Sequence, residues 1–356
     1  MMKIRHLSAL AALAVGAFAI PAAQAQTTVK VGWCSRTITS AAAPFAIATK
    51  LGWYEEADIA VELVPLPGST DCVKNVATGE IPYALAAVAP VAIITGTGVD
   101  LKTFYTAYQG NIYGIAVPAD SPIETFADLK GKRLGVTSLA SAGVIIARSL
   151  AAANGFDPDT DITIVAAGEA AQTAALVRSK QVDALSQYDT QYALVENAGV
   201  DLRMLENKEI ASFPANGFVA LDETLAQDRA QAVALAQGYA RGTVFAIANP
   251  EAAVRILYEV YPQTKATGKD EATALRDDVK TLEARAENWQ LEKGGVTRWG
   301  ENSEANYAAY LEFLKKQGVL KADVSVDQIV TNDLIDEIND FDPEAVKEKA
   351  EAYAGN

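Results

Sequence analysis

The residues with the most chemical potential are two cysteines and the hydroxyls around them. Cys34 ends an apolar run in VGWCSRTITSAAAPF, residues 31–45, and Cys72 closes PGSTDC, residues 67–72. A thiol becomes a nucleophile when a base removes its proton. The single histidine of the 356 residues is His6, which falls in a segment expected to be cleaved away. Ser-His-Asp and Cys-His catalysis both require an imidazole, and common zinc sites draw on histidine or on more than two cysteines. No catalytic residue, metal site or cofactor is therefore expected, and the question becomes what a non-catalytic pocket would hold.

Lys3 and Arg5 precede an apolar run from Leu7 to Ile20 and the small-x-small site Ala23-Gln24-Ala25. This is the pattern of a secretory signal peptide over residues 1–25, and it predicts export to the periplasm. In an oxidising compartment two cysteines pair more often than not, and loops after adjacent strands can come within ~4.4–6.8 Å between Cα atoms. A Cys34–Cys72 disulfide is thus a candidate, with two free thiols as the alternative. The formal charge of −15 becomes −17 once Lys3 and Arg5 are removed, which argues against nucleic acid or an anionic membrane as a partner.

Stepping through the chain, VKVGW, IAVELVPL and YALAAV each lead into a helix-forming segment, and the rhythm returns in KRLGVTS, ITIVAAG and ALSQY. Alternation of this kind predicts two α/β units with parallel strands. The expected division is residues 26–110 for the first part of lobe 1, 111–214 for lobe 2, and 215–356 for a return to lobe 1 with C-terminal helices. The crossings fall near Gln109-Gly110-Asn111 and in SFPANGFVAL. The tail DPEAVKEKAEAYAGN reads as a solvated charged helix.

In α/β sheets a ligand lies beyond the carboxyl ends of the strands, so the loops after the β-runs supply the candidates. Gly68, Ser69 and Thr70 open a helix whose free N–H groups could meet an oxyanion, and Ser138 and Ser141 repeat that arrangement in the second unit. Trp33, Tyr108, Tyr113 and Tyr188 offer rings for a planar ligand, with Ser35, Asn111 and Asn216 as hydrogen-bonding groups. Arg36 could clamp a carboxylate or sulfonate through its planar fork, while Asp189 would welcome an amine. Ala89, in the Val-Ala-Pro loop, gives an apolar wall.

The stretches AAAPFAIATKLGWYEE, DSPIETFADLKGKRLGV, AALVRSKQVDAL and IVTNDLIDEI, in this order and spacing, resemble the solute-binding proteins of ABC importers for nitrate, sulfonates, taurine and thiamine-pyrimidine precursors. The resemblance implies a two-lobed periplasmic binding protein of type II-like plan, each lobe a mixed sheet flanked by helices, with two hinge crossings. It implies a monomer that captures a small-molecule ligand by cleft closure and delivers it to permease subunits driven by a cytoplasmic ATPase. The expected ligand is a planar heteroaromatic or aromatic acid, or a taurine-like sulfonate. Two alternatives share the fold: a thiamine-pyrimidine-synthase-like enzyme, whose relatives depend on an active-site histidine and a cysteine-rich run, and a ligand sensor subunit.

Overall fold

The computed structural model describes residues 26–355; the expected signal peptide lies outside the described residues. In chain order the strands are β1 (Thr27–Trp33), β2 (Ile59–Pro65), β3 (Tyr83–Ala87), β4 (Leu101–Thr106) and β5 (Ala116–Pro118), then β6 (Arg133–Val136), β7 (Thr163–Ala166), β8 (Ala184–Leu185), β9 (Leu202–Met204) and β10 (Asn216–Leu221). They form two five-stranded sheets, ordered β2-β1-β3-β10-β4 and β7-β6-β8-β5-β9. The rhythm of short β-run and helix sets the parallel part of each sheet: β1 with β2 and β3, and β6 with β7 and β8. The other members run antiparallel, because β10 re-enters the first sheet from the second lobe and β5 enters the second sheet directly from a crossing. Each is therefore the mixed sheet of a two-lobed periplasmic binding protein.

Helices α1 (Ala43–Lys50), α2 (Ser69–Ala77) and α3 (Val88–Thr95) belong to the first lobe, and α4 (Ala142–Ala153), α5 (Ala171–Arg178) and α6 (Asp189–Asn197) to the second. Ala89 is here a correction: Val-Ala-Pro is not a loop after β3 but the first turn of α3, and Ala89 is fully buried. Proline tolerates that position because the first helical N–H groups have no acceptor within the helix.

From Asp222 onward the chain is helical, in α7 (Asp222–Gln227), α8 (Arg229–Ala248), α9 (Pro250–Val260), α10 (Glu271–Ala286) and shorter pieces. Asn249 stops α8 and caps α9, its side chain accepting from Ala252 N–H. α1 packs on α8 and α9, whereas α10 packs on α6 of the second lobe, on α9 and on the turn Ser40–Ala42, so α10 sits where the lobes meet. Phe45, Tyr105, Phe218 and Tyr239 pack ring to ring at 4.8–5.9 Å, each pair contributing about 0.5–1.5 kcal/mol beyond area burial. The C-terminal helix Pro343–Glu351 is not wholly solvated: it buries Val346 and Ala350. Among the described residues no helix is long and apolar enough to cross a membrane.

Candidate functional site

The two crossings hold each other. Asn216 O accepts from both Ala107 N–H and Tyr108 N–H at 3.0 Å, and Tyr108 O accepts from Ala215 N–H at 3.0 Å. These segments leave both lobes with their strand ends facing one cleft, and the cleft is closed. Thr70 N–H donates to Ala140 O at 3.1 Å, and Ser138 Oγ to Pro67 O at 2.7 Å. Gly68 fits this seam because it lacks a side chain: a Cβ there would lie 2.5 Å from Ala140 O and 2.7 Å from Ser141 N. Further along, Glu169 of the second lobe accepts from Ser35 Oγ and Arg36 N–H at 3.0 Å each and from Thr37 Oγ1 at 2.5 Å.

Behind the seam lies a small cavity of about 40 Å³. Trp33, Tyr108, Tyr113 and Tyr188 give it aromatic walls, and Ser35, Ser69, Ser141 and Asn216 line it with polar groups. Ser69 is the first residue of α2 and Ser141 the N-cap of α4, so two helix N-termini converge on one small space and favour negative charge there. Cys34 also lines the cavity and is disulfide-bonded to Cys72 with Cα atoms 5.8 Å apart. That bond ties the end of β1 and the loop after it, which carry Trp33 and Ser35, to the first turn of α2.

The charged group at the cavity is Arg285 of α10, 3% exposed. Its guanidinium donates from Nε to Asp189 Oδ2 at 2.9 Å and from Nη2 to Asp189 Oδ1 at 2.5 Å, and lies 3.9 Å from the centre of the Tyr108 ring. Burial alone would lower its pKa, but the Asp189 carboxylate more than offsets this and holds the guanidinium charged. Nε and Nη2 both serve Asp189, and the guanidinium face lies against Tyr108, so the group reaches the cavity wall as a fixed, paired charge. Burial raises the phenols of Tyr108 and Tyr113 above their ordinary pKa, so both stay neutral hydrogen-bonding groups.

Eight of the residues singled out from the sequence are brought together here: Trp33, Ser35, Ser69, Tyr108, Tyr113, Ser141, Tyr188 and Asn216. Gly68, Thr70 and Ser138 lie instead in the seam between lobes. Asp189 is corrected from a ligand acceptor to a partner of Arg285, for its oxygens also accept from Asn288 Nδ2 at 3.0 Å and Thr190 N–H at 2.6 Å. Arg36 does not reach the cavity: its side chain is exposed at the outer rim, and its backbone N–H rather than its guanidinium makes the contact with Glu169. Asn111 bonds within its own turn, to Tyr113 N–H and O. Arg285 was missed, because one arginine in the helical run LEARAENW carries no signal that separates a buried guanidinium from a solvated one. Among the described residues no cluster of His, Cys, Asp and Glu could hold a metal ion.

A family model described as NMT1/THI5 like matches residues 39–253. The riboflavin-binding protein RibY of Chloroflexus aurantiacus is 23% identical over 296 residues, 82% of each chain. The 4-amino-5-hydroxymethyl-2-methylpyrimidine phosphate synthase of Legionella pneumophila is 22% identical over 226 residues, 62% of this chain and 70% of its own. Among solved structures, the alkanesulfonate-binding protein SsuA of Xanthomonas axonopodis pv. citri, bound to MOPS, superposes with a TM-score of 0.63 at 20% identity, covering 87% of this chain and 99% of that one. At that identity the likeness establishes the fold.

Proposed function

This chain belongs to the NMT1/THI5-like family, and from that membership we propose that it is the periplasmic binding component of an ABC importer, capturing a small organic oxyanion and presenting it in the closed form. The observation that carries the reading is Arg285: a buried, charged guanidinium set beside two helix N-termini in a cavity between lobes. Asp189 already balances its charge, so a ligand with more than one net negative charge is disfavoured. The aromatic walls suit a flat or aliphatic remainder. Aromatic or heteroaromatic acids and alkyl sulfonates are the ligand classes this reading favours, the aromatic walls and the compact cavity supporting a small remainder.

Catalysis is not part of this reading, although one relative is named a synthase. His6 is the only histidine in the sequence, both cysteines are tied in a disulfide, and no charged side chain other than Arg285 lines the cavity. Thermal unfolding with benzoate, nicotinate, ethanesulfonate, nitrate, riboflavin and a neutral pyrimidine tests it. At about 100 times its dissociation constant a true ligand adds ~2.7 kcal/mol, which is roughly 4 °C for a chain of this size. A shift with the neutral pyrimidine or riboflavin alone, and none with any monoanion, would refute the oxyanion reading.

A further inference from the structure

The hydrogen bonds behind the cavity wall fix where the protons are. A carboxylate only accepts, so Ser35, whose Oγ lies 3.0 Å from Glu169 Oε1, spends its single proton there. Tyr188 Oη in turn donates to Ser35 Oγ at 3.2 Å. Tyr113 Oη donates to Asn216 Oδ1 at 3.0 Å, while Asn216 Nδ2 donates to Leu85 O at 3.2 Å. Each hydroxyl has one proton, so the oxygens of Ser35, Tyr188 and Tyr113 reach the cavity as acceptors only. The rings of Tyr113 and Tyr188 are neighbours, 6.2 Å between centroids, which gathers these acceptors on one wall.

The other polar groups have the reverse character. Ser69 Oγ accepts from Ala87 N–H at 3.2 Å and Ser141 Oγ from Gly143 N–H at 3.1 Å, so the proton of each hydroxyl points away from those amides, that of Ser69 on the side of the Tyr113 hydroxyl. With the charge of Arg285 they form a set matched to the oxyanion.

Building on the oxyanion reading above, we infer that Glu169 determines specificity through Ser35 and Tyr188: it orders their protons into an acceptor wall, so that the preferred ligand joins an oxyanion to an amino or ammonium N–H donor. The position of Glu169 is itself held. Gly168 and Ala170 on either side have φ of +75° and +48°; Ala170 combines its positive φ with ψ of −116°, a conformation that strains a residue with a Cβ, and Ala170 N–H donates to Gln191 Oε1 at 3.0 Å. Strain of this kind persists where the surroundings enforce it, and here it aims one carboxylate across the cleft at three donors. The negative charge sits directly behind Ser35, where it favours a cationic donor over a neutral one.

The test compares matched pairs by titration calorimetry at neutral pH: 3-aminopropanoate with propanoate, 2-aminoethanesulfonate with ethanesulfonate, and 3-aminobenzoate with benzoate. In the unaltered protein the amino member of at least one pair should bind at least tenfold more tightly. In Glu169→Gln the amide brings protons of its own, and that advantage should fall below about threefold; Ser35→Ala, which breaks the relay without touching the carboxylate, should do the same. A loss of cleft closure would weaken both members of a pair by the same factor, so the ratio isolates the ordering role, and an unfolding scan of each variant verifies the fold. An amino member that binds no better than its partner in the unaltered protein, or a ratio that both substitutions leave intact, overturns the inference. If no member of any pair binds, the oxyanion reading falls first and this one falls with it.

Discussion

Reducing the Cys34–Cys72 bond should lower stability by about 4 kcal/mol. The bond closes a loop with a sequence separation of 38, and chain-entropy reasoning assigns such a loop about 13 cal/mol/K of lost denatured-state entropy, which is ~4 kcal/mol at 25 °C. Spread over the 330 described residues, with an unfolding entropy of ~2.1 cal/mol/K per residue, the melting midpoint should drop by roughly 6 °C. Urea unfolding of the oxidised protein and of Cys34→Ser/Cys72→Ser, followed by tryptophan fluorescence, measures the difference. Trp33 reports it locally, because it neighbours Cys34 and its indole N–H donates to Thr37 O at 2.8 Å. The substitution should also weaken ligand binding, since the strand end and loop carrying Trp33 and Ser35 lose their tie to the helix carrying Ser69. A stability difference under 1 kcal/mol, with the bond shown intact in the oxidised sample, would refute the claim that this link constrains the unfolded chain.

Three further outcomes follow from the same structure. Arg285→Met should destabilise the protein by about 3–5 kcal/mol, because it strands a buried carboxylate, whereas Arg285→Met combined with Asp189→Asn should recover part of that loss; urea midpoints of the two variants compare them, and both should lose binding of any monoanion. Gly68→Ala should leave the unfolding midpoint within about 2 °C of the parent yet reduce ligand affinity at least tenfold, since its Cβ would meet backbone atoms of Ala140 and Ser141 across the closed seam; small-angle scattering with saturating ligand should show the variant more extended. Asn216→Ala removes the acceptor of Tyr113 and a donor to Leu85 O of β3, and should cost about 1–3 kcal/mol for the unmet buried partner, read by thermal denaturation.

Much of this architecture is legible in the sequence for definite physical reasons. The runs VKVGW and KRLGV alternate with helix formers at a spacing that only a crossover connection satisfies, so the parallel part of each sheet can be read directly. Asn249-Pro250 and Tyr261-Pro262 mark helix ends because proline cannot continue a helix, and α9 begins at the first and ends before the second. The candidate site is only half legible. Tyr108, Tyr113 and Tyr188 could be placed because they stand at strand ends or crossings, where side-chain direction follows from topology. Ala89 misled because an apolar tripeptide after a strand is as good a first turn as a loop. Asp189 and Arg285 each have an ordinary reading alone, a helix-start acid and a surface base; what joins them is the packing of α10 on α6, a contact between segments nearly a hundred residues apart that no local pattern encodes.

That contact has a consequence for the order in which the protein becomes competent. A chain that emerges amino-terminus first delivers every strand of both sheets, through β10, before α10 is available. The strands of both sheets can be paired while the cavity still lacks its positive charge and Asp189 has no counterion. Formation of the cavity is therefore a property of the finished chain and not of either sheet, because its one charged lining group arrives on a helix that follows every strand.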